Sequence, residues 1–299
     1  MGSDYNEVIQ RAIMPELIDT TYRRSMEPLI NTFGTEPALV GDRITVRNQA
    51  AWTSNAAAYT KADVNPTPDS NTLIKPYWDK TFYHASCEIE GIDISNAQGQ
   101  GDLAVLKLID DSVMNCGKSL MDVVVAAQYG ELKADIDSSS TYSDAGLSRS
   151  TYATLASYEE ATDAAITIDY FRGMVNGTRL LKNCSPKSAY VALLEEAVYN
   201  KFRPLAAALH AYDANNEGVQ ALGYPECGRF EGTDIIVPDG MTTGDVLYVD
   251  RTKVKVFEHR PLEVKEVESG RDSVKVVLRV GVNTVVVDPG KAGKMTSKD

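Results

Sequence analysis

One run of apolar residues constrains the fold of this chain more than any other feature of its sequence. Between residues 102 and 129, apolar side chains recur at alternating spacings of three and four: Leu106, Ile109, Val113, Cys116, Leu120, Val123 and Ala127. This spacing places them on one face of an α-helix. Asp102 is a suitable residue for its start and Gly130 for its end. A helix spanning about 42 Å is predicted, long enough to support the rest of the molecule.

The segments before this helix predict a helical arm and a long hairpin. Residues 4–31 have helical periodicity interrupted by prolines, which indicates two or three short helices. Residues 39–48 and 77–94 alternate polar and apolar side chains, as half-exposed strands do, and residues 50–76 between them are polar and turn-rich. A hairpin with two polar faces is too small to be stable alone. We therefore expect it to project from the body and to pack on a neighbour.

The second half of the chain predicts a mixed unit that ends in strands. Residues 131–163 are acidic and rich in Ser and Thr, which is typical of a surface loop or hairpin. Ser185-Pro186 is expected to open a helix that runs to about Phe202. Further strands are predicted at residues 234–238, 246–249, 253–257, 262–267 and 274–287. The fold class predicted is α+β.

Composition excludes several classes of protein. The 299 residues carry 42 acidic and 30 basic side chains, a net charge of −12, which argues against a protein that coats DNA or RNA. Four widely spaced cysteines without a CxxC pair favour a reducing compartment over a disulfide scaffold or a zinc site. The sequence has no apolar run long enough to span a membrane, and its first 14 residues lack the order of a signal peptide.

Motifs that could carry chemistry each have a structural interpretation that we favour. Residues 99–104 match GxGxxA, but no parallel strand with a ribose-binding acid follows, so a loop-to-helix turn is favoured over a nucleotide site. The three histidines lack metal-ligand spacing. We interpret Cys184 as a buried thiol and the adjacent acids as solvated side chains: Asp110, Asp111, Glu195 and Glu196. We interpret the lysines of the hairpin as solubilising residues, Lys61, Lys75 and Lys80, and Arg23 and Arg24 as a solvated pair. No catalytic, cofactor-binding or metal-binding residue is predicted, and the chain is not expected to be an enzyme.

Two stretches, and the order of the elements, carry a family resemblance. Residues 232–241, running into 244–249, look like the passage G-x-x-V-x-x-S/D-x-x-M followed by Y-x-x-D/N. Residues 256–264 and 282–289 are similar to late strands that close on V-x-x-P. Together with a helical arm, a long excursion and a long helix, these features resemble the major capsid proteins of tailed bacteriophages, which have the Hong Kong 97-type fold.

The resemblance implies a domain map. Residues 1–41 would be the N-terminal arm, and residues 42–95 the extended E-loop. Residues 96–165 would belong to the P-domain, with its spine helix at 102–129. Residues 166–252 would form the A-domain, and residues 253–299 the returning strands and C-terminal tail.

The resemblance also implies a function and partners. The chain would assemble as pentamers and hexamers into the icosahedral shell of a virion, formed in the host cytoplasm, around double-stranded DNA that it binds without sequence specificity. Scaffold, portal and decoration proteins are possible further partners, and no membrane is expected. Two alternatives stay open: an encapsulin-like nanocompartment shell protein, and a soluble enzyme that binds a nucleotide at residues 99–104.

Overall fold

The structure is a computed structural model that describes residues 9–37, 41–49, 73–160, 164–180, 185–209, 212–213, 226–269, 273–296 and 298. Helices are α1 (Met14–Leu17), α2 (Arg23–Phe33), α3 (Gly91–Gln98), α4 (Asp102–Asp135), α5 (Ile168–Leu180) and α6 (Glu196–Ala208). Strands are β1 (Thr35–Pro37), β2 (Arg43–Thr45), β3 (Asn48–Gln49), β4 (Leu73–Ile74), β5 (Tyr77–Asp79), β6 (Phe82–Glu90), β7 (Thr141–Tyr142), β8 (Leu147–Ser148), β9 (Tyr158–Glu160), β10 (Tyr190–Leu194), β11 (Tyr212–Asp213), β12 (Glu226–Phe230), β13 (Thr233–Val237), β14 (Val246–Asp250), β15 (Val254–Ser269), β16 (Ser273–Val286) and β17 (Gly293–Met295).

Helix α4 is the longest helix among the described residues, and it confirms the predicted helical seam in part. Ile109, Val113, Cys116 and Leu120 are buried as expected, whereas Leu106 is 39% exposed and Val123 is 60% exposed. From that point the buried row moves to the positions of Val124 and Leu132, because the true helical period of 3.6 residues drifts away from a strict 3-4 repeat. The helix therefore passes through Gly130, where an end was predicted, and continues to Asp135.

A four-stranded sheet lies under α4, in the order β1-β15-β16-β6. Strand β16 pairs antiparallel with both β15 and β6, and β1 pairs parallel with β15. Val276, Leu278 and Val280 point from β16 into the core that α4 covers. The two strands predicted at residues 253–257 and 262–267 are one strand with irregular register, β15. Residues 91–94, predicted as the end of a strand, begin helix α3.

A seven-stranded sheet forms the second unit, in the order β11-β12-β13-β10-β14-β17-β9. Its central strand β10 sends Val191 and Leu193 into the α4 core and Ala192 and Leu194 into a second core under α5 and α6. Three phenylalanines, Phe171, Phe202 and Phe230, pack together in that second core. The sheet is therefore covered on both faces, which explains its continuous apolar strands.

The prediction of a helix from Ser185-Pro186 to Phe202 was wrong in its first half. Strand β10 occupies Tyr190–Leu194, and all five residues are buried. A short apolar run that is buried on both faces has no periodicity that separates strand from helix. Helix α6 begins only at Glu196, after the carboxylate of Glu195 accepts a hydrogen bond from the backbone N–H of Val198.

The helical arm and the predicted hairpin are present in the described residues. The arm is helical from Ile9 to Phe33, with π-helical turns at Ile9–Ile13 and Ile18–Tyr22 around α1, while residues 1–8 lie outside the described residues. The excursion, by which we mean β2 and β3 paired antiparallel with β5 and β4, is a two-stranded ribbon. Its tip, at residues 50–72, lies outside the described residues.

Candidate assembly surfaces

The base of the excursion is fixed to the body through the last turns of α4. Strand β6 pairs with β16 as far as Phe82 opposite Gly281, so the edge of β16 beyond that point has no strand partner among the described residues. There the backbone N–H of Thr284 donates to Glu131 at 2.9 Å, and that of Val286 donates to Asp135 at 3.0 Å. Side chains of α4 thus take over the hydrogen bonds that a neighbouring strand would supply.

Two aromatic residues of the excursion and of β6 bind the same carboxylates. The indole N–H of Trp78 donates to Asp135 at 3.2 Å, and the hydroxyl of Tyr83 donates to Glu131 at 3.3 Å. The side chain of Trp78 also packs edge-on against Tyr142, with ring centroids 5.4 Å apart. The orientation of the excursion is therefore set by a network of hydrogen bonds to α4. We call Glu131, Asp135 and these donors the carboxylate junction.

Burial makes the carboxylate junction electrostatically unusual. Loss of hydration raises the pKa of Asp135 and of Glu131 to about 7, and the hydrogen bonds from backbone N–H groups oppose that rise only in part. Arg149 lies close to Asp135 and lowers its pKa, while donating to the backbone carbonyl oxygen of Asp135 at 2.7 Å. The sequence prediction of a solvated acidic loop from residue 131 missed this burial.

Apolar side chains are exposed at two places on the body, beside the start of β6 and near the start of α4. Phe82 at the start of β6 is 54% exposed, and Val123 on α4 is 60% exposed beside the same groove. Near the start of α4, Leu103 is 83% exposed and Ile92 on α3 is 71% exposed. The outer edge of β6 pairs with no strand within the described ranges. Exposed strand edges and clustered apolar side chains are the features by which protein chains associate.

The motif at residues 99–104 lies in the wrong context for a dinucleotide site. Helix α3 stands between β6 and the glycines, so the turn joins two helices and does not follow a strand. Gly101 precedes α4 with a φ of 112°, a backbone conformation that favours glycine. The side chain of Asp102, predicted as a cap, lies outside the described residues. The structure therefore contradicts the nucleotide alternative at this motif and supports the helix-start interpretation.

The remaining sequence candidates do not come together in one site. His84 is exposed on β6, and His259 forms a hydrogen bond with the Thr81 carbonyl oxygen at 2.9 Å. Glu195 caps α6, and the exposed side chains of Arg23 and Asp19 form an ion pair at 2.8 Å on the arm. Among the residues that the structure describes, no group of three His, Cys, Asp or Glu side chains could hold a metal ion. Three candidates lie outside the described residues: Lys61, Cys184 and His210.

Other described candidates occupy solvent-facing or partly buried positions. Asp111, Glu196, Arg24 and Lys75 are exposed, as predicted for solvated residues, while Asp110 and Lys80 are half-buried. No described helix is both long and apolar enough to cross a membrane.

About nine-tenths of the chain is similar in structure to subunits of known shells. The capsid of cyanophage A-1(L) matches with a TM-score of 0.70 and 13% identity, covering 92% of this chain and 93% of that chain. The capsid of the native GTA particle matches with a TM-score of 0.58 and 12% identity, covering 91% of each chain. The holo-SrpI encapsulin complex of Synechococcus elongatus PCC 7942 matches with a TM-score of 0.53 and 8% identity, covering 91% of this chain and 88% of that chain.

These similarities concern structure, because the sequence matches no family model and no curated protein. The structural match to the cyanophage capsid extends over about nine-tenths of both chains. The fold is therefore the α+β, Hong Kong 97-type capsid fold that the sequence resemblance implied.

Proposed function

We propose that this chain is the major capsid protein of a tailed bacteriophage, and that copies of it form the closed shell around the genome. The observation that carries the proposal is the structural match to a cyanophage capsid subunit over 92% of the chain, at a TM-score of 0.70. The proposed role is structural and not enzymatic. Its site of action would be the virion, after assembly in the host cytoplasm.

The surfaces on the molecule support assembly from identical copies. The described strands of the excursion do not project freely as the sequence predicted, because Ile44, Ile74 and Trp78 pack on the body. The opposite face of the ribbon is exposed, and a ribbon of two strands is marginal in water unless both faces are supported. The exposed apolar residues near β6 and at the start of α4 offer a surface for such a contact. We propose that a neighbouring copy covers both, in rings of five and six that close into a shell.

The domain map implied by the resemblance is proposed with the function. Residues 1–41 form the N-terminal arm, 42–95 the E-loop, 96–165 the P-domain, 166–252 the A-domain and 253–299 the returning strands and tail. Under this proposal α4 is the spine helix, six residues longer than the 102–129 predicted from sequence, since it ends at Asp135. Scaffold, portal and decoration proteins would be further partners.

The net charge of −12 supports a container more than a coat on DNA. Tight packing of protein on phosphate needs clustered Lys and Arg, and repulsion between like charges favours a genome that can slide during packaging. We propose that double-stranded DNA is enclosed without sequence-specific contacts.

Electron microscopy of the purified chain, alone and co-expressed with neighbouring phage genes, tests the proposal. We expect closed shells of uniform diameter, with fivefold and sixfold clusters in the averaged images. A compact monomer that remains dispersed at high concentration under both conditions would overturn the proposal.

Variants at Leu103 test whether the exposed apolar residues at the start of α4 contribute to assembly. Leu103→Glu places an acid in the first turn of α4, where the helix dipole favours it, so the fold should be retained while an apolar contact is lost. Leu103→Met keeps the apolar area and is the matched control. We expect shells from Leu103→Met and folded, unassembled subunits from Leu103→Glu; normal shells from both would remove Leu103 from the interface.

An encapsulin-like nanocompartment is a second candidate, supported by the structural match to the SrpI encapsulin complex at a TM-score of 0.53. The match to the cyanophage capsid is higher, so we favour the phage capsid. The contents of shells isolated from the natural source discriminate between the two. Packaged double-stranded DNA supports the capsid, and a folded protein cargo without nucleic acid supports the nanocompartment.

A further inference from the structure

Two cysteines face each other across the contact between β6 and α4. Along β6, alternate side chains point towards α4: Tyr83, Ala85, Cys87 and Ile89. Strand β6 and helix α4 run in opposite directions where they pack. Tyr83 accepts a hydrogen bond from Gln128, and Ala85, two residues later in β6, lines a groove with Leu120, which lies earlier in α4. The next position along β6 is Cys87, and one helical turn before Leu120 is Cys116. Cys87 packs against the core that includes Cys116, so the two thiols are neighbours.

The two thiols are chemically unequal. A hydrogen bond with the Cys116 thiol lowers the pKa of Cys87. The same hydrogen bond, together with burial, raises the pKa of Cys116. Cys87 is half-buried and Cys116 is 9% exposed. Cys87 is therefore the thiol that ionises first and meets a solvent-borne reagent first.

We propose that Cys87 and Cys116 are a dithiol that closes to an intramolecular disulfide when the chain meets a low-molecular-weight disulfide oxidant. The thiolate of Cys87 attacks one sulfur of the oxidant, forms a mixed disulfide and expels one thiolate, which takes up the proton that Cys87 lost. Cys116 then loses its proton, attacks the Cys87 sulfur and expels the second thiolate. Two protein thiols are oxidised, and one oxidant disulfide is reduced to two thiols.

The bond would join parts of the molecule that only packing now holds together. It would close the segment from residue 87 to residue 116, which contains α3, and would attach β6 covalently to α4. Because β6 continues directly from the excursion, the root of the excursion would be fixed to the long helix. A crosslink of this kind stabilises the fold mainly by restricting the unfolded chain. The two thiols stay reduced in a reducing cytoplasm and close after exposure to an oxidising medium.

The test uses the full chain with Cys184→Ser and Cys227→Ser, so that Cys87 and Cys116 are its remaining cysteines. The folded protein is treated with oxidised glutathione, and thiol counting, intact mass and peptide mapping follow. We expect the loss of both free thiols, a mass lower by two hydrogen atoms, one linked peptide pair containing residues 87 and 116, and a higher thermal midpoint that dithiothreitol reverses.

Two further variants are the matched controls. Adding Cys87→Ser or Cys116→Ser leaves one thiol, so neither protein can form the internal bond or gain the reversible rise in thermal midpoint. Persistence of both free thiols would overturn the proposal, as would stable glutathione on Cys87 beside a free Cys116, or disulfides between chains. Mapping of the wild-type chain after the same treatment repeats the test without the background substitutions. The outcome does not depend on shell formation, so the disulfide and the capsid function fail separately.

Discussion

The carboxylate junction predicts that the unassembled subunit becomes more stable as the pH falls from about 8 to about 5. Burial raises the pKa of Asp135 from 3.8 to about 7 and that of Glu131 from 4.5 to about 7. Between these values the folded chain binds protons that the unfolded chain does not. This stabilisation is fully present below the unfolded pKa values and is lost as the pH rises through about 7.

The magnitude follows from the two pKa differences. A difference of about three for Asp135 corresponds to about 4 kcal/mol, and one of about 2.5 for Glu131 to about 3 kcal/mol. The two groups lie on successive turns of α4 and repel each other when both are ionised, so their titrations are linked and the effects do not add in full. We expect a combined gain of about 4 kcal/mol on lowering the pH.

Urea unfolding of the unassembled subunit across this pH range measures the gain. The net charge of −12 also weakens as the pH falls, and this alone relieves general repulsion, so wild type is compared with the double variant Glu131→Gln/Asp135→Asn. The amides cannot titrate but retain the size of the side chains. We expect the free energy of unfolding of wild type to rise by about 4 kcal/mol relative to the variant. Parallel pH profiles would refute the reasoning.

Four further substitutions and measurements test the packing. Gly117→Ala would place a Cβ 2.3 Å from the Leu17 side chain of the arm, so we expect a loss of about 1–3 kcal/mol in urea unfolding. Gly130→Ala, inside α4 with open space around it, should instead gain about 1 kcal/mol. Leu120→Asp puts a charge at a 3% exposed position and should abolish folding, so a soluble, folded monomer of unchanged stability would contradict the packing of α4. Amide exchange in the excursion should slow on assembly, and equal protection in free and assembled protein would count against a covering neighbour.

The long amphipathic helix α4 could be predicted from the sequence because its apolar face depends on the spacing of nearby residues. The start of α4 and its first buried positions, including Ile109 and Leu120, follow from residues within a few turns of each other. The end of the helix could not be read in the same way. Gly130 costs about 1 kcal/mol in a helix interior, but burial of Leu132 beyond it more than offsets that cost.

Strand β10 shows where local pattern stops being informative. Its five apolar residues face two different cores, one under α4 and one under α5 and α6. Both faces are therefore apolar, and the alternation that identifies a half-exposed strand is absent. The proline of Ser185-Pro186 then favoured a helix start, whereas the helix begins eleven positions after Ser185, at Glu196. Only the neighbouring strands β13 and β14 decide the outcome.

The carboxylate junction was not predictable because its partners are distant in sequence. Glu131 and Asp135 belong to a stretch whose composition is typical of a solvated loop, and acids are mostly exposed. Their hydrogen-bond donors, Thr284 and Val286, lie about 150 positions later in the chain. One sequence feature could have indicated their position. If the apolar face of α4 is continued through Leu132, both acids lie on the last turns of the helix.

The presence of buried acids at this point has a structural cause. A well-packed pair of apolar side chains is often more stable than a pair of buried charges. At this point, however, apolar side chains would leave the backbone N–H groups of Thr284 and Val286 without acceptors, because β6 no longer pairs with β16 beyond Gly281. An unsatisfied buried N–H costs about 1–3 kcal/mol, so two of them would cancel much of the gain from removing the charges. Carboxylates reach both donors from α4 and also accept from Trp78 and Tyr83. The same hydrogen bonds that terminate the sheet thereby orient the excursion, and its attachment is tied to the protonation of Glu131 and Asp135.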